Sequence, residues 1–319
     1  MWYNKKKKGG ITVQQKYRQA FWAACGMTVL LTLWRIVIAP QSSKHSVSYG
    51  VLLVLTAVLL VGLLAWCGQK REELREVYKT SATVTAAAAL FTGTLLTVSS
   101  VFTATRWLLL RELPYPQKDF LTTTDKIFVF GLIVCGLLGG IFFVCLAAQW
   151  WKTKSVTRGH FPLMALFPIF WSWFRLLRYE TSHVSAVGTY RSLLDLGVLV
   201  AEMLFLMAFA RFAANVQEKP QRFLAGLSLC TGLLCTSGAL TRFAMFCSQE
   251  GAAFEESALI AAPDIGFAVL AFAVAFGQAF ASEPPAPKAE EPDEPDEPEG
   301  PRVPLELEDI INDILRQNH

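Results

Sequence analysis

The chain has 319 residues, of which 53% are hydrophobic and only 17% charged, with a mean hydropathy of +0.38. Water-soluble domains carry about 25% charged residues, so this composition excludes a chain built from one or two such domains. The formal net charge of +3 is unevenly spread: from residue 282 onward twelve acids face three bases, leaving a tail of −9 behind a body of +12.

The first segment, 1–19, carries Lys5, Lys6, Lys7, Lys8, Lys16 and Arg18. A basic flank of this kind holds a terminus in the cytosol and attracts anionic lipid, here at Lys5, Lys6, Lys7 and Lys8. Nucleic acid is not expected as its partner. Apolar runs follow, each near the roughly 20 residues that a helix needs to cross a bilayer. They lie at 20–39, 49–68, 82–105, 126–150, 161–178, 191–212, 223–246 and 258–281. Lipid offers no partner to a bare backbone group, so each is expected to be helical. The first run contains Arg35 and is followed by Pro40, which reads as a retained helix and not a cleaved signal. The fifth is the weakest, being short and holding Pro162, Pro168, Arg175 and Arg178.

Basic residues cluster in the 69–81 and 151–160 loops, while the 40–48 loop has only Lys44 and the 247–257 loop has no Lys or Arg. Eight spans with both termini cytosolic satisfy that asymmetry, and a plasma or inner membrane is the expected location.

Self-comparison supports the count. Residues 76–97 align without gaps to 215–236, with Val77/Val216, Ala86/Ala225, Leu90/Leu229, Thr92/Thr231, Gly93/Gly232, Leu95/Leu234 and Thr97/Thr236 identical. Asp125/Asp264 and Phe128/Phe267 keep the offset, and Arg35/Arg175 miss it by one residue. The expected fold is therefore all-α, a polytopic membrane protein with two parallel four-helix repeats, 20–150 and 160–281. An acidic, disordered tail is expected to follow.

A charge in lipid needs a reason, costing about 2.5–3.5 kcal/mol on insertion scales. Arg106, Asp125, Arg242 and Asp264 fall toward the outer side of the third and fourth helices of each repeat. There Arg106–Asp125 and Arg242–Asp264 are expected to pair. Asp195 and Glu202 have no acidic counterpart in the first repeat and share one helix face, seven residues apart. Arg191 suits Asp195 as an i, i+4 partner. Glu202 has no cation in reach by this reading. It is expected either to be neutral and bonded to hydroxyls such as Thr92, Thr97, Thr231 or Thr236, or to serve as a proton or cation site.

No nucleotide-binding, zinc-protease or hydrolase signature occurs, and all four histidines lie in loops or at the terminus. Seven cysteines without a CxxC pair give no metal or disulfide pattern. No enzyme, cofactor or metal is expected.

The segment 282–303 is rich in Pro and acid, the composition of an extended, self-repelling linker. In 304–317, Leu307, Ile310, Ile311, Ile314 and Leu315 form one apolar helical face behind Pro304. A short tethered helix of this kind fits a groove on a cytosolic protein. Two functions follow: a membrane scaffold or sensor that recruits a partner through this helix, or an ion or small-molecule transporter or channel with a pathway at Asp195 and Glu202.

Overall fold

A computed structural model describes residues 13–38, 46–68, 79–112, 123–153, 162–183, 190–213, 222–248 and 254–280. These form eight α-helices: α1 (Val13–Ile38), α2 (Ser46–Gly68), α3 (Lys79–Glu112), α4 (Thr123–Thr153), α5 (Leu166–His183), α6 (Tyr190–Ala213), α7 (Arg222–Ser248) and α8 (Phe254–Ala279). A short 3-10 turn, Pro162–Ala165, leads into α5. No strand occurs among the described residues. The tail from Ser282, with the expected docking face Leu307, Ile310, Ile311, Ile314 and Leu315, lies outside them, as do Lys5, Lys6, Lys7 and Lys8.

Six helices, α1, α3, α4, α6, α7 and α8, are long and apolar enough to cross a membrane, the build of a multi-pass membrane protein. The apolar stretch of α2, Gly50–Ala65, is shorter, and α5 is amphipathic. Outward faces agree with a lipid setting. Trp22, Val29, Leu30, Leu33 and Val37 are exposed on α1, and Val51, Val54, Val58 and Val61 on α2. Contiguous apolar surface on this scale is foreign to a water-soluble monomer.

Helices α3, α4, α5, α6, α7 and α8 each pack against the next, and α8 returns to α3, closing a ring. Helices α1 and α2 lie against its α7 side. The largest core cluster draws on all six ring helices, with Leu96, Phe143, Trp150, Phe205, Phe209 and Phe267 at its centre. Small residues bring α3 and α4 together. A Cβ on Gly140 would stand 2.9 Å from the Gly93 carbonyl oxygen, and one on Gly136 would stand 2.0 Å from Ser100 Oγ.

Several buried hydroxyls are satisfied within their own helices. Thr28, Thr32, Thr56 and Thr92 each donate at 2.7 Å to the carbonyl four residues earlier. Thr92 also lies 2.8 Å from the Gly266 carbonyl, tying α3 to α8 where a Cβ on Gly266 would meet the Thr92 backbone at 3.1 Å. Polar residues here serve the backbone first.

Candidate functional site

Five helices contribute charged side chains to one continuous ionic chain. Arg35, close to the C-terminal end of α1, reaches Asp195 near the start of α6 at 2.5 Å. Arg242, near the end of α7, lies 3.6 Å from Asp195 and 3.2 Å from Asp264. Asp264 is held by Arg175 of α5 through both terminal nitrogens, Nη2 to Oδ2 at 3.0 Å and Nη1 to Oδ1. Arg175 Nη1 also lies 3.3 Å from Glu202 Oε2. The order is Arg35, Asp195, Arg242, Asp264, Arg175, Glu202.

Local sequence explains how each group is placed. Pro263 sits inside α8 one residue before Asp264. It has no N–H to give to the preceding turn, which loosens the helix where the carboxylate turns inward. Gly238 on α7 leaves room for α6: a Cβ there would stand 3.3 Å from Val198, with Arg35 Nη1 of α1 at an ordinary contact distance of 3.7 Å. Trp171, one turn before Arg175, lies with its ring 5.3 Å from the guanidinium carbon.

Exposure is uneven along the chain, with Arg35 and Arg175 keeping 7% and 11% of their side-chain surface. The side chains of Asp195 and Arg242 keep 14% and 17% of their surface, whereas Asp264 and Glu202 keep none. Beyond Glu202 on the same face of α6 come Phe205, Leu206 and Phe209, all fully buried. The Phe209 ring lies 6.0 Å from Phe143 and 6.2 Å from Trp150, and Phe143 lies 6.0 Å from Phe267. The charges therefore start at the Arg35 end of the bundle and stop against an aromatic wall at its middle.

One acid is poorly served. Glu202 Oε1 is buried with no hydrogen-bond partner, as is Ser172 Oγ, one turn from Arg175 on α5. An ionised carboxylate accepts at both oxygens, so an orphan lone pair at a fully buried position is costly. Cys235 of α7 lies within electrostatic range of Glu202, Asp264, Arg175 and Arg242. Among the described residues no group of three or more His, Cys, Asp and Glu is placed to hold a metal ion.

Several sequence expectations change here. Glu202 is not without a cation: Arg175 is its partner. The apolar run had put Arg175 near an outer helix end at 178, but α5 continues to His183, which carries Arg175 to mid-helix beside Glu202. Thr92, Thr97 and Thr231 do not turn to Glu202: Thr92 Oγ1 lies within hydrogen-bond distance of the Ala88 and Gly266 carbonyls, and Thr97 and Thr231 donate to the carbonyls of Gly93 and Ala201. Asp195 takes its cations from Arg35 and Arg242, and the Arg191 side chain lies outside the described residues. Arg242 and Asp264 do meet. Arg106 lies on α3 and Asp125 in the first turn of α4, where the Asp125 side chain lies outside the described residues.

No family model, curated protein or solved structure matches the chain.

Proposed function

We propose that this is a proton-exchanging membrane transporter whose working group is Glu202 and whose route to one side runs past Asp195. The observation that carries the reading is Glu202 Oε1, a buried carboxylate oxygen without a partner at the inner end of an ionic chain. A proton on Glu202 converts that orphan acceptor into a hydroxyl or a neutral oxygen, and both are cheaper to bury than a bare anion. The partial exposure of Asp195 and Arg242, against the full burial of Asp264 and Glu202, supports access past Asp195, with the Phe205–Phe209 wall closing the other side.

In this reading all eight helices lie in the membrane as two parallel four-helix repeats. Both termini are cytosolic, and the Arg35 end faces outward at a plasma or inner membrane. The close α3–α4 and α7–α8 hairpins match one another and support the repeat, whereas α1 and α2 stand outside the ring that their counterparts α5 and α6 help to close. Nothing in the ionic chain requires a covalent step, so we read the protein as a non-enzyme. Recruitment of a cytosolic partner rests on the tail's sequence pattern alone and is the weaker reading.

Purified chain reconstituted with a pH-reporting dye in the lumen tests the proposal. Acidifying the outside is expected to move protons inward at a rate set by the protein, and Glu202→Gln is expected to abolish that movement. Unaltered proton movement in a folded Glu202→Gln protein would refute it.

A further inference from the structure

The ionic chain holds three guanidinium groups, from Arg35, Arg175 and Arg242, and three carboxyl groups, from Asp195, Glu202 and Asp264. Guanidinium keeps its proton in proteins, so the carboxyl groups alone set the charge of the assembly. With all three ionised the total is zero. A proton on Glu202 takes it to +1, and so does a monovalent metal ion added to the ionised form. Either leaves an uncompensated charge among side chains that are buried or nearly so, the arrangement that low-polarity surroundings tolerate least. An anion arriving with the proton restores neutrality. The same anion arriving alone would make the total −1.

Resting on the proton-exchange reading of Glu202, we infer that the assembly binds a monovalent oxyanion together with the proton, on donors from Arg175, Arg242 and protonated Glu202. Three features point there. The Arg175 contact to Glu202 is the longer of its ionic contacts, at 3.3 Å, so a protonated Glu202 gives up little when it releases that side of the guanidinium. Glu202 Oε1, which lacks a partner, is the atom positioned to carry an O–H that donates to an incoming oxygen. Arg242 is the most exposed of the three guanidinium groups and stands between the partly exposed Asp195 and the fully buried Asp264, placed to receive an anion first. Planar guanidinium forks match the paired oxygens of carboxylate, nitrate and phosphate. The charge count disfavours a metal cation, which would add positive charge beside three guanidinium groups. Proton and oxyanion then raise each other's affinity by the same factor.

The test uses the full chain in proteoliposomes with a luminal pH dye. Nitrate, dihydrogen phosphate and methanesulfonate are added outside in turn, with the membrane voltage clamped by a potassium ionophore. At least one of them is expected to drive luminal acidification at a rate indifferent to voltage, because charge moves in balance. Its apparent affinity should rise about tenfold for each unit the outside pH falls, as one proton linked to one anion requires. Glu202→Gln fixes the assembly at +1, so it should bind that anion with no pH dependence and carry no proton; Arg242→Gln should lose the anion response. Glu202-dependent proton movement that follows voltage and ignores all three anions would overturn this inference and leave the proton-exchange reading standing. Absence of any Glu202-dependent proton movement would overturn both. The wild-type voltage and anion responses decide the matter even where a variant does not fold.

Discussion

Arg175 Nη1 lies 3.3 Å from Glu202 Oε2 while the same guanidinium holds Asp264 with both terminal nitrogens. One side chain thus binds α5 to α6 and α8 at a depth where water is scarce. Bidentate Arg–carboxylate pairs are the stronger ion pairs, so Asp264 has the larger claim on Arg175 and Glu202 the smaller. That inequality makes Glu202 the group able to change state without dismantling the bundle.

Removing Arg175 should be severe. Arg175→Gln leaves two fully buried acids, Asp264 and Glu202, of which Arg242 pairs with Asp264 alone. Breaking a buried pair from one side costs about 3–5 kcal/mol, and the thermal midpoint in detergent should fall accordingly. Combining it with Asp264→Asn should recover part of the loss. A double variant no better than the single would show that the two side chains do not interact as described.

Arg35 and Asp195 should be coupled over 160 residues of sequence. A double-mutant cycle with Arg35→Gln and Asp195→Asn is expected to give an interaction energy of about 1–3 kcal/mol in unfolding measurements. A value near zero would remove α1 from the ionic chain.

Glycine substitutions should separate by position. At Gly140 a Cβ would meet Thr97 Oγ1 at 2.1 Å and the Gly93 carbonyl oxygen at 2.9 Å, so Gly140→Ala must push α3 and α4 apart. A loss of about 1–3 kcal/mol is expected from overpacking. Gly26 and Gly197 have nothing within 4 Å of a built Cβ. Alanine there should be neutral or stabilise by up to about 1 kcal/mol through helix propensity. Equal effects at Gly140 and Gly26 would contradict the close α3–α4 crossing.

Phe209 touches Phe143, Trp150, Phe205 and Phe212 at ring-centroid distances of 5.8–6.3 Å. Phe209→Ala should cost about 3–5 kcal/mol by leaving a cavity in the wall behind Glu202. In reconstituted vesicles it should also raise passive proton leak, measured as the decay of an imposed pH gradient. A tight variant would show that the wall is not what closes that side.

The helices were legible in sequence because the bilayer sets a length and an apolar content that composition reveals directly. The run expected at 126–150 lies within α4, Thr123–Thr153, and the run at 191–212 lies within α6, Tyr190–Ala213. The pairing of Arg242 with Asp264 was legible too, since adjacent antiparallel helices bring their shared end together. Contacts between helices distant in sequence were not. Arg35–Asp195 depends on α1 packing against α7 beside α6, a pairing of distant helices that hydropathy does not encode. Arg175–Glu202 was hidden by polarity itself. Residues Tyr179 through His183 look like loop, yet they extend α5 by more than a turn and so move Arg175 from a helix end to its middle. The amphipathic character of α5 was the available signal, because a polar stripe beside a lone buried acid marks the face that meets it.

Infrared difference spectroscopy of the membrane-embedded protein tests the central claim most directly, because a protonated carboxyl group has its own carbonyl stretch. Acidification of the wild type should bring up one such band from a buried, weakly bonded carboxylic acid, and Glu202→Gln should remove it while Asp195→Asn leaves it in place. A band that survives Glu202→Gln, or spectra in which no buried carboxyl changes state over the pH range where the protein stays folded, would contradict the assignment of Glu202 as the proton-exchanging group.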